Sequence, residues 1–185
     1  MAGQETPSGR SREIHTEYTE LEMLCVSCRA TWSVPVARRV NVATHPDARL
    51  GILLKTMHRT ACPVCRQPRE VDTIFDYYDP ERQLVVQVRP SWEIKAGGGE
   101  DWYWARYEDL VLKYADHDVR VDVVFGFDEL IEKYLGGEEA VAQAQKEWNA
   151  RRAIAYRDCQ EDDRETERGR TGFFGKGQDE SPHSR

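Results

Sequence analysis

Two short cysteine motifs decide how this chain folds: Cys25-Val-Ser-Cys28 and Cys62-Pro-Val-Cys65, with 33 residues between them. Each C-x-x-C motif places two sulfur atoms on the same side of a tight turn, and zinc favours four thiolate ligands in a tetrahedron. Two such turns therefore complete one closed site. We predict that Cys25, Cys28, Cys62 and Cys65 bind one Zn²⁺ ion, which has a structural role.

Two other interpretations of the cysteines remain open. The first treats them as small buried side chains, which is common for one cysteine but not for two matched pairs. The second treats the Cys62-Pro-Val-Cys65 motif as a thiol redox site, whose thiol pKa would be lowered at the start of a helix. That motif runs instead into Arg66-Gln-Pro68 and a β-rich stretch, so the expected helix is missing. The sequence assigns no role to Cys159.

Composition indicates polar ends around a globular middle. The chain has 185 residues, 32% of them charged, and a formal net charge of −7. Residues 1–13 and 169–185 offer almost nothing to bury, so we predict disordered tails there. The sequence contains neither a run of about 18 apolar residues nor an apolar signal segment, so we expect a cytoplasmic protein with no membrane partner. Cysteines in that reducing compartment rarely form disulfides.

Hydrophobic periodicity predicts an α+β fold, resembling a zinc ribbon, in which an antiparallel sheet is flanked by helices. The first motif lies in a turn between strands, a helix delivers the chain to the second motif, and a hairpin around the Asp79-Pro-Glu-Arg82 turn forms the centre of the sheet. A zinc-binding domain then spans residues 14–137, and a long charged C-terminal helix spans residues 138–168. The predicted strands are residues 17–24, 32–36, 71–77, 84–88 and 119–125, and the predicted helices before the last are residues 44–58, 102–114 and 127–134.

Aromatic residues mark two candidate interaction segments. Trp92 and Trp102 lie in a tryptophan-rich insertion near residues 91–105, and Trp148 lies on the charged helix. Tryptophan often anchors protein interfaces, so we take these three residues as candidates for contact with a partner. We expect Trp104 and Tyr107, at helical spacing in the same insertion, to pack in the core instead.

The segment between the motifs is basic, unlike the rest of the chain. Residues 29–61 hold six basic residues and one acidic residue. Arg38, Arg39 and Lys55 are therefore candidate contacts for the phosphates of a nucleic acid. The acidic remainder of the chain and the missing aromatic platform between these residues argue against that partner. The arginines nearest the cysteines are expected to offset the negative charge of four thiolates, and these are Arg29, Arg59 and Arg66.

The order of these features resembles the CpXC domain over residues 24–141. The resemblance is carried by both cysteine motifs, by Tyr77-Tyr-Asp-Pro-Glu81 and by Phe127-Asp-Glu-Leu-Ile-Glu-Lys133. That family of bacterial proteins is named for its Cys-Pro-x-Cys motifs and has no established activity, and the resemblance implies that the four cysteines are zinc ligands. The first motif here lacks the proline, and Arg29 and Arg66 replace the glycine usual after each motif.

The sequence offers no candidate catalytic residues. It contains no Ser/His/Asp grouping, no phosphate-binding glycine loop and no H-E-x-x-H motif, so we expect no enzymatic activity. We therefore predict a non-catalytic accessory or adaptor protein, which mediates protein–protein interaction within a larger complex. The alternatives are a nucleic-acid-binding protein that uses residues 29–61, and a C-x-x-C thiol redox protein.

Overall fold

The computed structural model describes residues 13–96 and 100–171, and the side chains of residues 13–94 and 100–157. The predicted tails, 1–13 and 169–185, lie almost wholly outside these ranges. The chain divides into two compact units, the first ending at Val141 and the second beginning at Ala142. The elements in chain order are β1 (Glu17–Leu24), β2 (Thr31–Asn41), α1 (Pro46–Leu53), β3 (Arg59–Ala61), β4 (Pro68–Glu70), β5 (Phe75–Asp79), β6 (Leu84–Arg89), α2 (Trp92–Ala96), α3 (Glu100–Lys113), β7 (Arg120–Phe125), α4 (Gly126–Leu130), which continues into a π-helical turn (Ile131–Leu135), and α5 (Gly137–Thr171).

The predicted α+β class is confirmed, but the main sheet is mixed rather than antiparallel. Its strand order is β1-β2-β5-β6-β7. The β1–β2 and β5–β6 pairs are antiparallel, whereas β2–β5 and β6–β7 are parallel. Parallel neighbours need a long crossover connection, and the helices of the sequence supply one in each case. We predicted helices between these strands, but not that such connections make the paired strands parallel.

The hairpin predicted at the centre of the sheet is confirmed. β5 occupies the middle position and pairs with β6 over its whole length. The turn between them is held by the Asp79 carboxylate, which accepts hydrogen bonds from the backbone N–H groups of Glu81 (3.1 Å) and Arg82 (3.3 Å). An aspartate that binds its own turn in this way is the usual signal for a chain reversal.

The helix predicted to deliver the chain to the second cysteine motif is wrong in its last part. α1 ends at Leu53, and the chain then turns back, because the Gly51 carbonyl accepts hydrogen bonds from both Thr56 N–H (2.8 Å) and Met57 N–H (3.1 Å). His58 has a positive φ of 59°, which no helix interior accepts. The short strand β3 therefore delivers the chain to Cys62.

The two cysteine motifs sit at the ends of two hairpins. β1 pairs with β2 along its whole length, but only the last three residues of β2 pair with β5, so the β1–β2 ribbon extends beyond the main sheet. β3 and β4 form a separate two-stranded sheet. A small apolar cluster of Val34, Val36 and Val71 packs with Met23 and Trp32, so a residue directly after β4 joins the ribbon in one core. Both hairpins thus form a lobe that carries the cysteines.

The packing of the aromatic insertion differs from the prediction at Trp104. That side chain is 49% exposed, so its expected burial in the core is wrong. Tyr107 does pack against the core cluster that contains Val85 and Leu110. Tyr103, Tyr107 and Leu110 form the inward stripe of α3, and Tyr114 directly after the helix packs in the same cluster. Trp104 lies one residue away from that stripe.

The last helix is long and polar. α5 runs from Gly137 to Thr171, in place of the predicted residues 138–168. The side chain of Cys159 lies outside the described residues. Within residues 13–96 and 100–171, no helix is both long enough and apolar enough to cross a lipid bilayer.

Candidate metal centre

Each cysteine motif forms the same backbone turn. The first cysteine of the motif accepts a hydrogen bond from the residue that follows the motif, and donates its own N–H to a carbonyl five residues ahead in the chain. The bonds are Arg29 N–H to Cys25 (2.9 Å), Cys25 N–H to Ala30 (2.8 Å), Arg66 N–H to Cys62 (2.9 Å) and Cys62 N–H to Gln67 (3.0 Å). We call each of these two equivalent turns a knuckle. One knuckle lies at the end of each hairpin and carries two sulfur atoms.

The residue after each knuckle adopts a left-handed conformation. The φ angles are 63° at Arg29 and 62° at Arg66. Glycine enters this region without steric strain, and asparagine and aspartate are tolerated there, whereas most other residues cost about 1 kcal/mol or more. Both turns thus need the conformation that glycine prefers, although this chain has arginine at both positions.

The four sulfur atoms of the two knuckles form one cluster, as the sequence predicted. All of them lie within 4.8 Å of one another. Two contacts cross between the knuckles, from Cys25 to Cys65 and from Cys28 to Cys62, and each is 3.5 Å. These separations exceed the S–S bond of about 2.05 Å, so the cysteines are not disulfides. A zinc–sulfur bond of about 2.3 Å sets the sulfurs of a tetrahedral site about 3.8 Å apart, so the cluster fits such an ion.

The hydrogen bonds of the knuckles favour thiolates. The backbone N–H of Cys28 is the main cause that lowers the pKa of Cys25 to about 5, and the N–H of Cys65 likewise lowers the pKa of Cys62. The N–H of Ala30 acts to lower the pKa of Cys28, but burial and hydrogen bonds to the other three thiols raise it to about 12. A further negative charge is unfavourable in this cluster unless a cation balances it.

An arginine outside the predicted set contacts one of the sulfurs. Arg69, on β4, places Nη2 4.0 Å from Cys25 Sγ and donates a hydrogen bond to Ser27 Oγ at 3.2 Å. Its Nε is buried and has no hydrogen-bond partner among the described residues. Arg59 instead donates to Glu70 through Nε at 2.9 Å. The sequence position of Arg69 could have indicated this contact, because Arg69 lies seven residues after Cys62. It is on the strand that follows the second motif, and this strand passes the first knuckle.

The surroundings of Cys65 do not resemble those of a thiol redox motif. β4 begins at Pro68, directly after the second knuckle, and no helix follows the motif. A helix N-terminus is the feature that commonly lowers the pKa of a catalytic thiol in a C-x-x-C motif. The redox alternative therefore lacks that structural support.

The structure places two of the predicted interaction residues at one cavity. Arg38 and Trp92 are 54 positions apart in the sequence, yet both line a cavity of about 480 Å³. Trp92 is 54% exposed, and the Arg38 side chain has no partner among the described residues.

The other two predicted tryptophans have different surroundings. Trp102 is half-buried, and its ring lies 5.1 Å from the guanidinium of Arg89 and 5.6 Å from that of Arg106. These distances suit cation–π contacts, so Trp102 is held within the fold. Trp148 lies on α5, where it is 40% exposed.

Most charges of the basic segment bind other groups of the same chain. Arg39 donates to the Tyr114 hydroxyl at 3.0 Å, and Lys55 forms an ion pair with Asp128. Arg49 donates to the Tyr77 hydroxyl at 3.3 Å and to a backbone carbonyl, while Arg59 binds Glu70. Arg29 and Arg38 remain as the cations of this segment whose side chains have no partner among the described residues. Few charges of the segment are thus left for phosphates.

Comparison with known proteins identifies a family for this chain. The family model described as CpXC protein matches residues 23–169, which is most of the chain. The chain belongs to the CpXC family. Neither the curated proteins nor the solved structures gave a match to it.

Proposed function

We propose that the protein is a non-catalytic adaptor, in which one structural Zn²⁺ fixes two hairpins and the rigid end that they form docks onto a partner protein of a larger complex. Cys25, Cys28, Cys62 and Cys65 would hold the ion. Its chemistry is to neutralise the thiolates and to cross-link the knuckles. Four protein ligands leave no open position for a substrate, which supports a structural role rather than a catalytic one.

The observation that carries the docking role is the exposure of apolar side chains inside both motifs. Val26 is 74% exposed and Val64 is 69% exposed. The cysteines that flank them belong to one cluster, so both valines lie at the same end of the lobe. Arg29 and Arg66 follow the knuckles and are exposed, with side chains that have no partner among the described residues. Protein interfaces typically combine an apolar core with a polar rim, and arginine is enriched in them.

Two alternatives have less support. Nucleic-acid binding through residues 29–61 would rely on cations that mostly bind other groups of the chain, as described above. A thiol redox role would rely on a C-x-x-C motif without the usual helix. We place the protein in the cytoplasm, because the free thiols of the cluster persist as metal ligands in a reducing compartment.

The proposal is tested with untagged protein kept reduced and studied by native mass spectrometry. We expect one zinc ion per chain, together with a co-purified partner protein. In a Val26→Ser/Val64→Ser double variant the zinc should remain and the partner should be lost. Leu112→Ser is the matched control, since Leu112 is 75% exposed but lies on α3. A metal-free wild-type chain, or a partner that the double variant keeps, would contradict the proposal.

A further inference from the structure

The cavity that contains Arg38 and Trp92 is distinct from the cysteine cluster. It lies on the face of the main sheet formed by β2, β5 and β6, beside α2 and the end of α3. Its volume of about 480 Å³ falls within the range of roughly 300–1,000 Å³ that small-molecule sites occupy. The size of the cavity therefore admits a small ligand.

A buried carboxylate forms part of the cavity wall. Asp76 is 1% exposed, and its Oδ2 accepts hydrogen bonds from Lys113 Nζ and the Tyr114 hydroxyl, both at 2.6 Å. Its Oδ1 has a weaker partner, the amide of Gln87 at 3.4 Å. A carboxylate accepts up to about four hydrogen bonds, so Oδ1 retains acceptor capacity toward the cavity.

A buried ion pair forms another part of the wall. The side chains of Arg89 and Glu93 are each 11% exposed and are joined by a 2.7 Å bond from Nε. Arg89 Nη1 donates to Gln87 at 2.6 Å, and Nη2 has no hydrogen-bond partner among the described residues. Charges at such depth cost folding free energy unless they are paired and hydrogen-bonded, as these two are, so the free Nη2 is the donor that the pair can offer to a ligand.

The rim adds one unpaired charge of each sign. Arg38 and Asp72 are both exposed, and neither side chain has a partner among the described residues. The charged side chains of the lining are balanced, three basic and three acidic: Arg38, Arg89, Lys113, Asp72, Asp76 and Glu93. A simple anion or cation gains little net attraction in such a site, whereas a molecule with both charges can pair with each free group.

We infer that this cavity binds a small zwitterion of the amino-acid class. Its carboxylate pairs with the guanidinium of Arg38, and its ammonium group pairs with Asp72. Carboxylate and guanidinium form two parallel hydrogen bonds, which fixes the orientation of the ligand. The exposed ring of Trp92 at the same rim supplies an apolar surface for the ligand side chain.

The first experiment is saturation-transfer NMR on the zinc-loaded, full-length protein with the twenty standard amino acids as probes. At least one of them should bind. Its N-acetyl derivative, which lacks the ammonium charge, and its amide, which lacks the carboxylate, should each bind about tenfold more weakly, because each has lost one charged partner. Failure of all twenty probes to bind, or a derivative that binds as tightly as its parent amino acid, would overturn the inference.

Variants at the rim test the site itself. Arg38→Gln and Asp72→Asn should each weaken binding about tenfold without unfolding the protein, since both side chains are exposed. Arg66→Gln is the matched control, because Arg66 is also an exposed arginine without a side-chain partner among the described residues but lies at the second knuckle. If Arg66→Gln weakened binding as much as Arg38→Gln does, the ligand would bind somewhere other than this cavity.

Discussion

The sulfur atoms of Cys28 and Cys62 lie 3.5 Å apart, although 34 positions separate the two residues in the chain. This contact joins the end of the β1–β2 ribbon to the end of the β3–β4 hairpin. β3 and β4 are three residues long each, and so short a hairpin has little stability of its own. The geometry of the lobe therefore depends on what holds the sulfurs together.

Loss of a single ligand should unfold the lobe. We expect Cys62→Ser to abolish stoichiometric zinc binding and to lower the melting temperature, because a structural zinc site contributes on the order of 10 kcal/mol to folding. Metal analysis and circular dichroism measure the two effects. Cys159→Ser is the control, since Cys159 belongs to neither motif, and it should keep one zinc ion. An unchanged melting temperature in Cys62→Ser would exclude a structural role for the site.

The cluster of four cysteines and the central hairpin could be predicted because the residues that form each knuckle, and those that form the hairpin, are neighbours in the sequence. The C-x-x-C spacing fixes the backbone of a knuckle, and the alternation of residues about Asp79 fixes the strands and turn of β5 and β6. The meeting of the two distant knuckles was predicted from chemistry instead, because a closed zinc site requires four ligands. Both appear in the structure as expected.

The features that sequence reasoning missed depend on contacts between distant segments. Strand direction at the β2–β5 pair follows from the path of the whole crossover, not from either strand. Arg69 is one of several arginines near the motifs, and only the folded hairpin brings it, rather than Arg59, to Cys25. Asp76 is a polar residue within a buried strand, and its partner Tyr114 lies 38 positions away.

Arg69 should raise the affinity of the cysteine cluster for zinc. Its guanidinium lies near Cys25 Sγ and offsets part of the negative charge of four thiolates. A partner of this kind commonly changes metal affinity by about 10- to 100-fold. We expect Arg69→Gln to transfer zinc to a chromogenic chelator at least about tenfold faster than the wild type, measured as the initial rate of colour formation.

Arg59→Gln provides the matched control for that rate. Arg59 lies on the neighbouring strand of the same hairpin and contacts Glu70. Its replacement should leave the rate of zinc transfer near the wild-type value. Equal rates for Arg69→Gln and the wild type would show that the contact with Cys25 has no influence on the metal.

The hydroxyl of Tyr114 should contribute measurably to stability. Burial, followed by the neighbouring Asp76 carboxylate, raises the pKa of Tyr114, so the hydroxyl keeps its proton and donates a hydrogen bond to Asp76. Tyr114→Phe removes this bond and also the acceptor of Arg39. We expect a loss of about 1–3 kcal/mol in the free energy of unfolding, measured by urea titration.

The control for that variant is Tyr156→Phe. The Tyr156 side chain is 67% exposed on α5, so removal of its hydroxyl should change stability by less than about 0.5 kcal/mol. If the free energy of unfolding of Tyr114→Phe also changed this little, water would have replaced the lost hydrogen-bond partners.

His58 should make the fold sensitive to mild acid. Burial lowers the pKa of His58 to about 4, and its Nε2 accepts a hydrogen bond from Ala37 N–H at 3.0 Å, so the ring is neutral in the folded protein. An unfolded histidine binds a proton near its ordinary pKa of about 6.5. Between these two values the unfolded state binds more protons, so stability falls as the pH drops from about 6.5 to about 4 and this contribution is constant below that.

The variant that isolates this effect is His58→Asn. Asparagine tolerates the positive φ of 59° at this position, carries an oxygen that can accept a hydrogen bond and does not titrate. Acid also protonates the cysteines, and this contribution is common to both proteins, so the difference between them reports on His58. We expect the melting temperature of the wild type to fall more steeply than that of His58→Asn between pH 7 and pH 5. The extra fall should correspond to a loss of unfolding free energy on the order of 1–2 kcal/mol, after allowance for the partial exposure of the ring. Parallel melting curves for the two proteins over that range would mean that His58 accepts a proton in the folded state as readily as in the unfolded chain.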